Sequence, residues 1–380
     1  MAHIQRTEGK RGTRYEVRYR AQINGRWKWR GKTFARKEDA RSFLATVSAD
    51  IVRGDFIDPK RAETRFRDVA EAWRSTLSRD RKEKTIRVYE SDLRVHVSPS
   101  FGDMSVGAIT YADIDAWIRS MEAKGSRPGT IRNAYKVVKQ VLDYAVKDGR
   151  LRSNPCAGVT LPKAANVEML FLSAEQVATL AAEVPVRYQT LVRFAAYTGL
   201  RAGEITALRM KDVDWKTGDV RVTKTLTHFG GTFAETEPKT KAGRRTVTMP
   251  RFVFEELKTF VGDRKLDRAA YVFGTATPMR HGNFYRRHFR PAVLRAFADR
   301  PDLQPLRFHD LRHTFASFLV AQGAHPKEMA ELMGHSSVQI TLDRYSHVMP
   351  HLGAALAERL DDAYADAKPT RQEAHVLTLR

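Results

Sequence analysis

The sequence has a single cysteine, Cys156, in 380 residues. That scarcity excludes a disulfide framework and any cysteine-built metal centre, and leaves Cys156 as a small packing residue. No run of 18 apolar residues occurs, so no membrane-spanning helix is expected. Residues 1–20 are basic but contain no apolar stretch of the kind a secretory signal requires. Internal repeats and low-complexity tracts are absent, as are a glycine-rich nucleotide loop, a nucleophilic-serine motif and a catalytic carboxylate pair. Acidic side chains are in deficit: 44 Asp and Glu face 66 Lys and Arg, for a formal net charge of +22. A polyanion is the partner such a chain suits, nucleic acid ahead of an anionic membrane surface. The 42% hydrophobic content is enough to build cores, and the length suits two or three domains.

The first 64 residues are especially basic, with 16 Lys and Arg against 8 Asp and Glu. Tyr15, Val17, Tyr19 and Ala21 alternate with Glu16, Arg18 and Arg20, which predicts a half-buried strand. Asn24-Gly25 supplies a tight turn, and a second alternating run sets Trp27 and Trp29 against Lys28, Arg30 and Lys32. From Lys37 to Arg53 the spacing becomes helical, with Ala40, Phe43, Leu44, Val47 and Ile51 on one face. The expected unit is a small sheet backed by a helix, with one sheet face rich in cations and aromatics, as suits a DNA groove. Residues 54–65 read as a linker. Phe66 to Gly149 is helical throughout, with a capping box at Thr110–Asp113 and a long helix from Thr130 to Val146. A further capping box at Ser173–Gln176 opens a mixed α/β region, with strands expected at 219–225, 245–249 and 271–273.

Four motifs in that last region carry chemistry. Thr198-Gly199-Leu200-Arg201-Ala202-Gly203-Glu204 places Arg201 at a tight turn into a helix, where a guanidinium can meet an anion. Pro238-Lys239-Thr240-Lys241-Ala242-Gly243-Arg244-Arg245 reads as a cationic hairpin tip between two strands. His309-Asp310-Leu311-Arg312-His313 puts residues 309, 312 and 313 on one helical face. His309 and His313, with Asp310 nearby, also have the spacing of a metal pair, although Arg312 would set a fixed positive charge beside the metal. Leu332-Met333-Gly334-His335 is followed ten residues after His335 by Tyr345, a packing residue or a phenolic nucleophile. Two arginines, one or two lysines, histidines and a tyrosine suit phosphoryl transfer without a metal ion, the arginines clamping the phosphate oxygens. A free tyrosine is only ~0.1% ionised at pH 7, so a nearby base must assist it.

In order and spacing, these motifs resemble the tyrosine recombinases, specifically the phage-type, arm-domain-bearing integrases. The resemblance implies a multi-domain α+β protein. Residues 1–60 would be a small AP2-like sheet-plus-helix domain that binds arm-type sites, and 65–160 a helical, SAM-like core-binding domain. Residues 170–365 would be a mixed, mainly α catalytic domain, and 366–380 a tail. Tyr345 would be the nucleophile, forming a 3′-phosphotyrosine, with Arg201 and Arg312 holding the scissile phosphate. His309 would be the base near the tyrosine and His335 a donor to the phosphate. Lys239 would protonate the leaving 5′ oxygen, with Lys241 a near-equivalent candidate. Glu204 would orient Arg201, and His313 would be structural. No cofactor, metal or ATP is implied. The implied partners are double-stranded DNA at core-type and arm-type sites, a homotetramer, a DNA-bending host factor and an excision factor, with no membrane. The implied location is the bacterial cytoplasm, associated with the nucleoid.

The expected function is therefore site-specific integration and excision of a phage or other mobile element. Three alternatives stand beside it: a chromosome-dimer resolvase of the same chemistry, a metal-dependent phosphohydrolase using His309, Asp310 and His313, and a DNA-binding regulator with relic motifs. Leu352, Leu356, Leu360 and Tyr364 share a helical face that could dock on a neighbouring subunit or on their own domain.

Overall fold

Two-residue alternation folds residues 2–34 into a three-stranded antiparallel sheet, β1 (Ala2–Gly9), β2 (Gly12–Ile23) and β3 (Arg26–Phe34), with β2 in the middle. The structure is a computed structural model that describes residues 2–9, 12–23, 26–53, 56–77, 81, 83–163, 168–229, 231–238, 240–346, 357, 360–362 and 364. The chain divides into two compact units, Met1–Asn166 and Val167–Arg380. No helix among the described residues is long and apolar enough to cross a membrane.

In the first unit, Val17 and Tyr19 point inward and pack on α1 (Lys37–Arg53) through Ala40 and Val47. Acidic Glu38 and Asp39 in the first turn of α1 and Arg53 in its last complement the helix dipole. Ile23 pairs with Arg26, and the Asn24-Gly25 turn expected between them lies outside the described residues. The outer face differs from the sequence reading in where its cations come from. Residues paired across an antiparallel ladder share a face, and Trp29 pairs with Arg20. Trp27 and Trp29 are half-exposed beside Arg18 and Arg20 of β2, whose guanidinium groups lie 5.7–6.0 Å from the indole centroids. Arg30 turns to the other side, donating to the Asp58 carboxylate at 2.5 Å, and Lys32 lies over the Phe34 and Phe43 rings.

The rest of this unit is helical: α2 (Phe66–Thr76), α3 (Glu83–Asp92, with a wider turn through Val97), α4 (Tyr111–Ala123) and α5 (Pro128–Lys147). The predicted capping box forms: Thr110 accepts from the Asp113 amide, and Asp113 accepts from the Thr110 amide. Pro128 starts α5, where its missing N–H costs nothing, and Gly149 follows the helix with φ +67°. Phe66, Trp73, Ile114, Ile131, Val138 and Leu142 close a core separate from that of the sheet.

The second unit opens with the expected capping box, Ser173 with Gln176, and continues as α6 (Ala174–Glu183), α7 (Val186–Thr198) and α8 (Ala202–Ala207). Two of its three expected strands form, slightly shorter than read, and one does not. β4 (Asp219–Val222) pairs with β7 (Arg245–Thr248), while β5 (Thr225–Phe229) and β6 (Thr232–Thr236) form a hairpin that the sequence reading did not anticipate. The segment 238–245 is therefore not a hairpin tip; it connects strands of two different sheets. Residues 271–273 do not form a strand: Tyr271 makes an isolated bridge with Arg209, and the Val272 amide donates to the Leu208 carbonyl at 2.9 Å. The longer helices that follow are α9 (Arg251–Val261), α10 (Arg290–Ala296), α11 (Asp310–Ala321), α12 (Pro326–Met333) and α13 (Val338–Tyr345). Leu191, Phe194, Val220, Val247, Leu257, Phe289 and Leu311 anchor its core. A smaller cluster of Phe315, Ala316, Met329, Met333 and Tyr345 holds α11, α12 and α13 together. Of the apolar face expected after Tyr345, Leu352 and Leu356 lie outside the described residues, as does the tail 366–380.

Candidate active site

The site begins where α7 stops. Gly199 takes the left-handed conformation, φ +63°, as the cap of α7, and a Cβ there would lie 2.2 Å from the Phe315 ring. Only glycine serves at such a position. Two residues on, Arg201 caps α8, and Glu204 accepts from both its backbone amide at 2.9 Å and its Nη1 at 2.8 Å. Arg201 Nη2 donates to the Gly334 carbonyl at 3.2 Å. Arg245, at the start of β7, approaches Glu204 from the other side, with Nη2 donating at 2.9 Å and Nη1 at 3.2 Å. Burial alone would raise the Glu204 carboxyl, but its hydrogen bond to Arg245 and the charges of Arg245 and Arg201 outweigh that and hold it below the usual range. Arg245 was read in the sequence only as one cation of a basic stretch; here it braces the carboxylate that braces Arg201.

Arg312 rises from the first turn of α11 and is almost fully buried. Its Nη1 donates to the Gly199 carbonyl at 2.6 Å, and Nη2 donates to the Met333 carbonyl. Burial, then the neighbouring charges of Arg201 and Arg245, push its pKa down to about 9. With Arg312 tied only to carbonyls and Arg201 sharing the single Glu204 carboxylate with Arg245, the cluster keeps an excess of positive charge and makes a place where an anion is favoured.

Three imidazoles surround this pair. His335 follows Gly334, the left-handed cap of α12, and its Nδ1 hydrogen-bonds Thr341 Oγ1 at 2.8 Å. Its Nε2 is buried and has no hydrogen-bond partner, a cost that an incoming oxygen would relieve. Burial, then Arg312 and Arg201, push its pKa down to about 3, so it is a neutral donor at physiological pH. His309 is exposed at the start of α11, and partial desolvation followed by the Arg312 charge lowers its pKa. His313, one residue beyond Arg312, is buried, and its Nδ1 lies 2.8 Å from the Tyr345 hydroxyl.

Tyr345 ends α13 and is 1% exposed, its ring parallel to that of His335 with centroids 6.5 Å apart. Burial raises its pKa, opposed by the charges of Arg312, Arg344 and Arg201. The structure thus brings together Arg201, Arg312, His309, His335 and Tyr345 from three of the four sequence motifs. Lys239 lies outside the described residues, and Lys241 is exposed in the short turn Lys241–Gly243. The residues that sequence reasoning underrated are Arg245, His313 and Thr341; for His313 the i, i+4 spacing from His309 was the available signal.

The alternative metal pair is not assembled. Both Asp310 oxygens accept from Arg307, at 2.6 Å from Nη2 and 2.6 Å from the backbone amide, and His313 Nδ1 is engaged by Tyr345. Among the described residues, no three of His, Cys, Asp and Glu are placed to share a metal ion.

Comparison with known proteins identifies the family. Residues 168–351 match the phage integrase family and residues 66–161 the phage integrase central domain. The ICEBs1 integrase of Bacillus subtilis (strain 168) is 30% identical over 281 residues, covering 70% of this chain and 74% of that protein. The integrase of Mycobacterium phage L5 is 28% identical over 339 residues, covering 87% of this chain and 89% of that protein. The Tn1549 transposon integrase, solved with transposon right end DNA, superposes with a TM-score of 0.65 at 23% identity, covering 77% of this chain and 99% of that one. A lambda integrase dimer bound to a COC′ core site gives 0.56 at 17% identity, covering 92% and 95%. The chain belongs to the phage integrase family and is a tyrosine site-specific recombinase.

Proposed function

We propose that the chain integrates and excises a mobile element by cutting and rejoining double-stranded DNA through a 3′-phosphotyrosine at Tyr345. The observation that carries this reading is the pocket itself: the Tyr345 ring lies parallel to His335, whose orphaned Nε2 awaits an oxygen, beside two guanidinium groups anchored to main-chain carbonyls. Arg201 and Arg312 hold the non-bridging oxygens of the scissile phosphate, and His335 donates a hydrogen bond to one of them. Their charge stabilises the crowded phosphorus of the transition state, so cleavage survives EDTA. Lys239, or Lys241 beside it, protonates the leaving 5′ oxygen. The ester keeps the energy of the broken phosphodiester, and rejoining needs no nucleotide. The resemblance gives the base role to His309, whereas the geometry favours a different imidazole.

The two solved relatives carry DNA in their complexes, and a lambda integrase tetramer has been solved on a Holliday junction. By the same logic this chain acts as a tetramer on paired core sites, with 65–160 and 170–365 gripping the core. The Trp27, Trp29, Arg18 and Arg20 face of residues 1–60 engages distal arm-type sites. A bending factor and an excision factor complete the assembly, in a bacterial cytoplasm. Deleting residues 1–60 removes protection at the distal sites and spares the core; a footprint unchanged everywhere contradicts the arm assignment. The chemistry is tested with a nicked duplex that traps the cleaved state. Wild type forms a covalent protein–DNA adduct, in EDTA as well as without it, and Tyr345→Phe forms none while still binding. An adduct that persists in Tyr345→Phe overturns the assignment.

A further inference from the structure

We propose that Nδ1 of His313 receives the phenolic proton of Tyr345 as the tyrosine attacks DNA. The inference rests on the reading of Tyr345 as nucleophile and deepens it by naming the base.

Geometry comes first for a general base, which must lie within hydrogen-bond reach of the proton it takes. His313 meets that condition at 2.8 Å, with both groups closed to solvent. The other two imidazoles are otherwise disposed. His335 commits Nδ1 to Thr341, and His309 is exposed and meets the His313 ring edge-on at 5.1 Å. Sequence neighbours on a helix diverge by about 100°, so α11 directs Arg312 towards the Gly199 and Met333 carbonyls and His313 towards Tyr345. One turn of helix thereby links the clamp on the phosphate to the base on the nucleophile.

Burial, then the neighbouring His309, push the His313 pKa down to about 4, so the ring is neutral and one nitrogen lone pair is available. With the Tyr345 hydroxyl donating to Nδ1, the ring hydrogen sits on Nε2. So weak a base does not ionise a resting phenol, least of all one whose own pKa is raised by burial. Transfer therefore accompanies attack. The O–H bond breaks as the Nδ1–H bond forms, while the phenolic oxygen bonds to phosphorus. The P–O5′ bond breaks with its electron pair on the 5′ oxygen, which takes its proton from the lysine side. The negative charge of the bound phosphate favours the imidazolium. Among the groups facing His313, Asp310 also favours it, while His309 and Arg307 near the start of α11 and Arg344 of α13 oppose it. Rejoining reverses the path: the 5′ hydroxyl attacks the phosphotyrosine, and His313 returns the proton to the departing phenol.

The test is single-turnover cleavage of the nicked duplex between pH 5 and 9.5 by the full chain, with DNA affinity measured in parallel. His313→Asn places an oxygen near the Nδ1 position, so it accepts the hydrogen bond without accepting a proton; His313→Gln is the second variant should that one fail to fold. The expected wild-type rate is flat above about pH 5. The variant binds DNA as wild type does, but cleaves roughly 100- to 1,000-fold more slowly at neutral pH and recovers about tenfold per pH unit as hydroxide takes over. Difluorotyrosine at position 345, a more acidic phenol, restores much of the lost rate. Wild-type rate and pH profile in the variant overturn the proposal, as does a uniform loss that neither pH nor the acidic phenol relieves. An adduct in Tyr345→Phe, by contrast, sinks the nucleophile reading beneath it.

Discussion

Glu204 and Arg245 form an ion pair closed to solvent, 2.9 Å apart with side chains 4% and 5% exposed. The same carboxylate holds Arg201, whose side chain is 40% exposed. One guanidinium is thus locked inside the fold so that another can be held in place while facing outward.

Removing that carboxylate leaves Arg245 buried without its counter-charge, a change that costs roughly 3–5 kcal/mol. Glu204→Gln is therefore expected to lower the melting temperature of the second unit by at least about 6 °C. It also suppresses covalent adduct formation, because Arg201 loses its orienting partner. Calorimetry and the nicked-duplex assay check both. An unchanged melting temperature contradicts the role assigned to the pair.

Gly199→Ala forces a side chain into a left-handed residue, costing about 1–2 kcal/mol before any clash, and drives a Cβ into the Phe315 ring. Since the Gly199 carbonyl anchors Arg312, the variant is expected to lose both stability in urea unfolding and most of its cleavage rate. Adding Phe315→Ala relieves the clash but not the backbone strain, so the double variant recovers only part of the stability. Full recovery would show that the left-handed conformation is not required.

Acid weakens the second unit in a defined window. His313 and His335 have folded pKa values of about 4 and about 3, below the ordinary 6.5. Between these limits the unfolded chain binds more protons, so stability falls as pH drops below 6.5 and continues falling towards 3. Across the whole window the contribution is about 3 kcal/mol for His313 and about 5 kcal/mol for His335. Glu204, with its lowered pKa, adds a loss of the same sign below the usual carboxylate range, as pH falls through its folded value. Urea unfolding from pH 7 to pH 4.5 should show this slope, and His335→Gln should reduce it. A stability independent of pH over that range contradicts the neutral, buried state of these rings.

The elements best legible in the sequence are those fixed by local chemistry. The capping boxes at Thr110 and Ser173 and the helix Lys37–Arg53 need only neighbours within a turn, and they form as read. The β5–β6 hairpin was missed because its five-residue strands are short and only weakly alternating, and because pairing between strands leaves little trace in either alone. Trp27 and Trp29 were placed against Lys28, Arg30 and Lys32, but their company on the exposed face is set by register with β2, a non-local property. In the site, the ordered motifs picked out Arg201, Arg312, His309, His335 and Tyr345. They could not reveal which imidazole meets the hydroxyl, since that depends on how α13 packs against α11. Arg245 likewise became a site residue only through a buried contact with Glu204, 41 positions away in the chain.

The most direct test of the account is to identify the atom that carries DNA. The wild-type chain is trapped on a nicked duplex built from the sequence flanking its gene, digested with protease and nuclease, and the nucleotide-bearing peptide is sequenced by mass spectrometry. The account predicts a single modified residue, Tyr345, joined to the 3′ phosphate of the cleaved strand. A nucleotide on any other side chain, or a 5′ linkage, contradicts it.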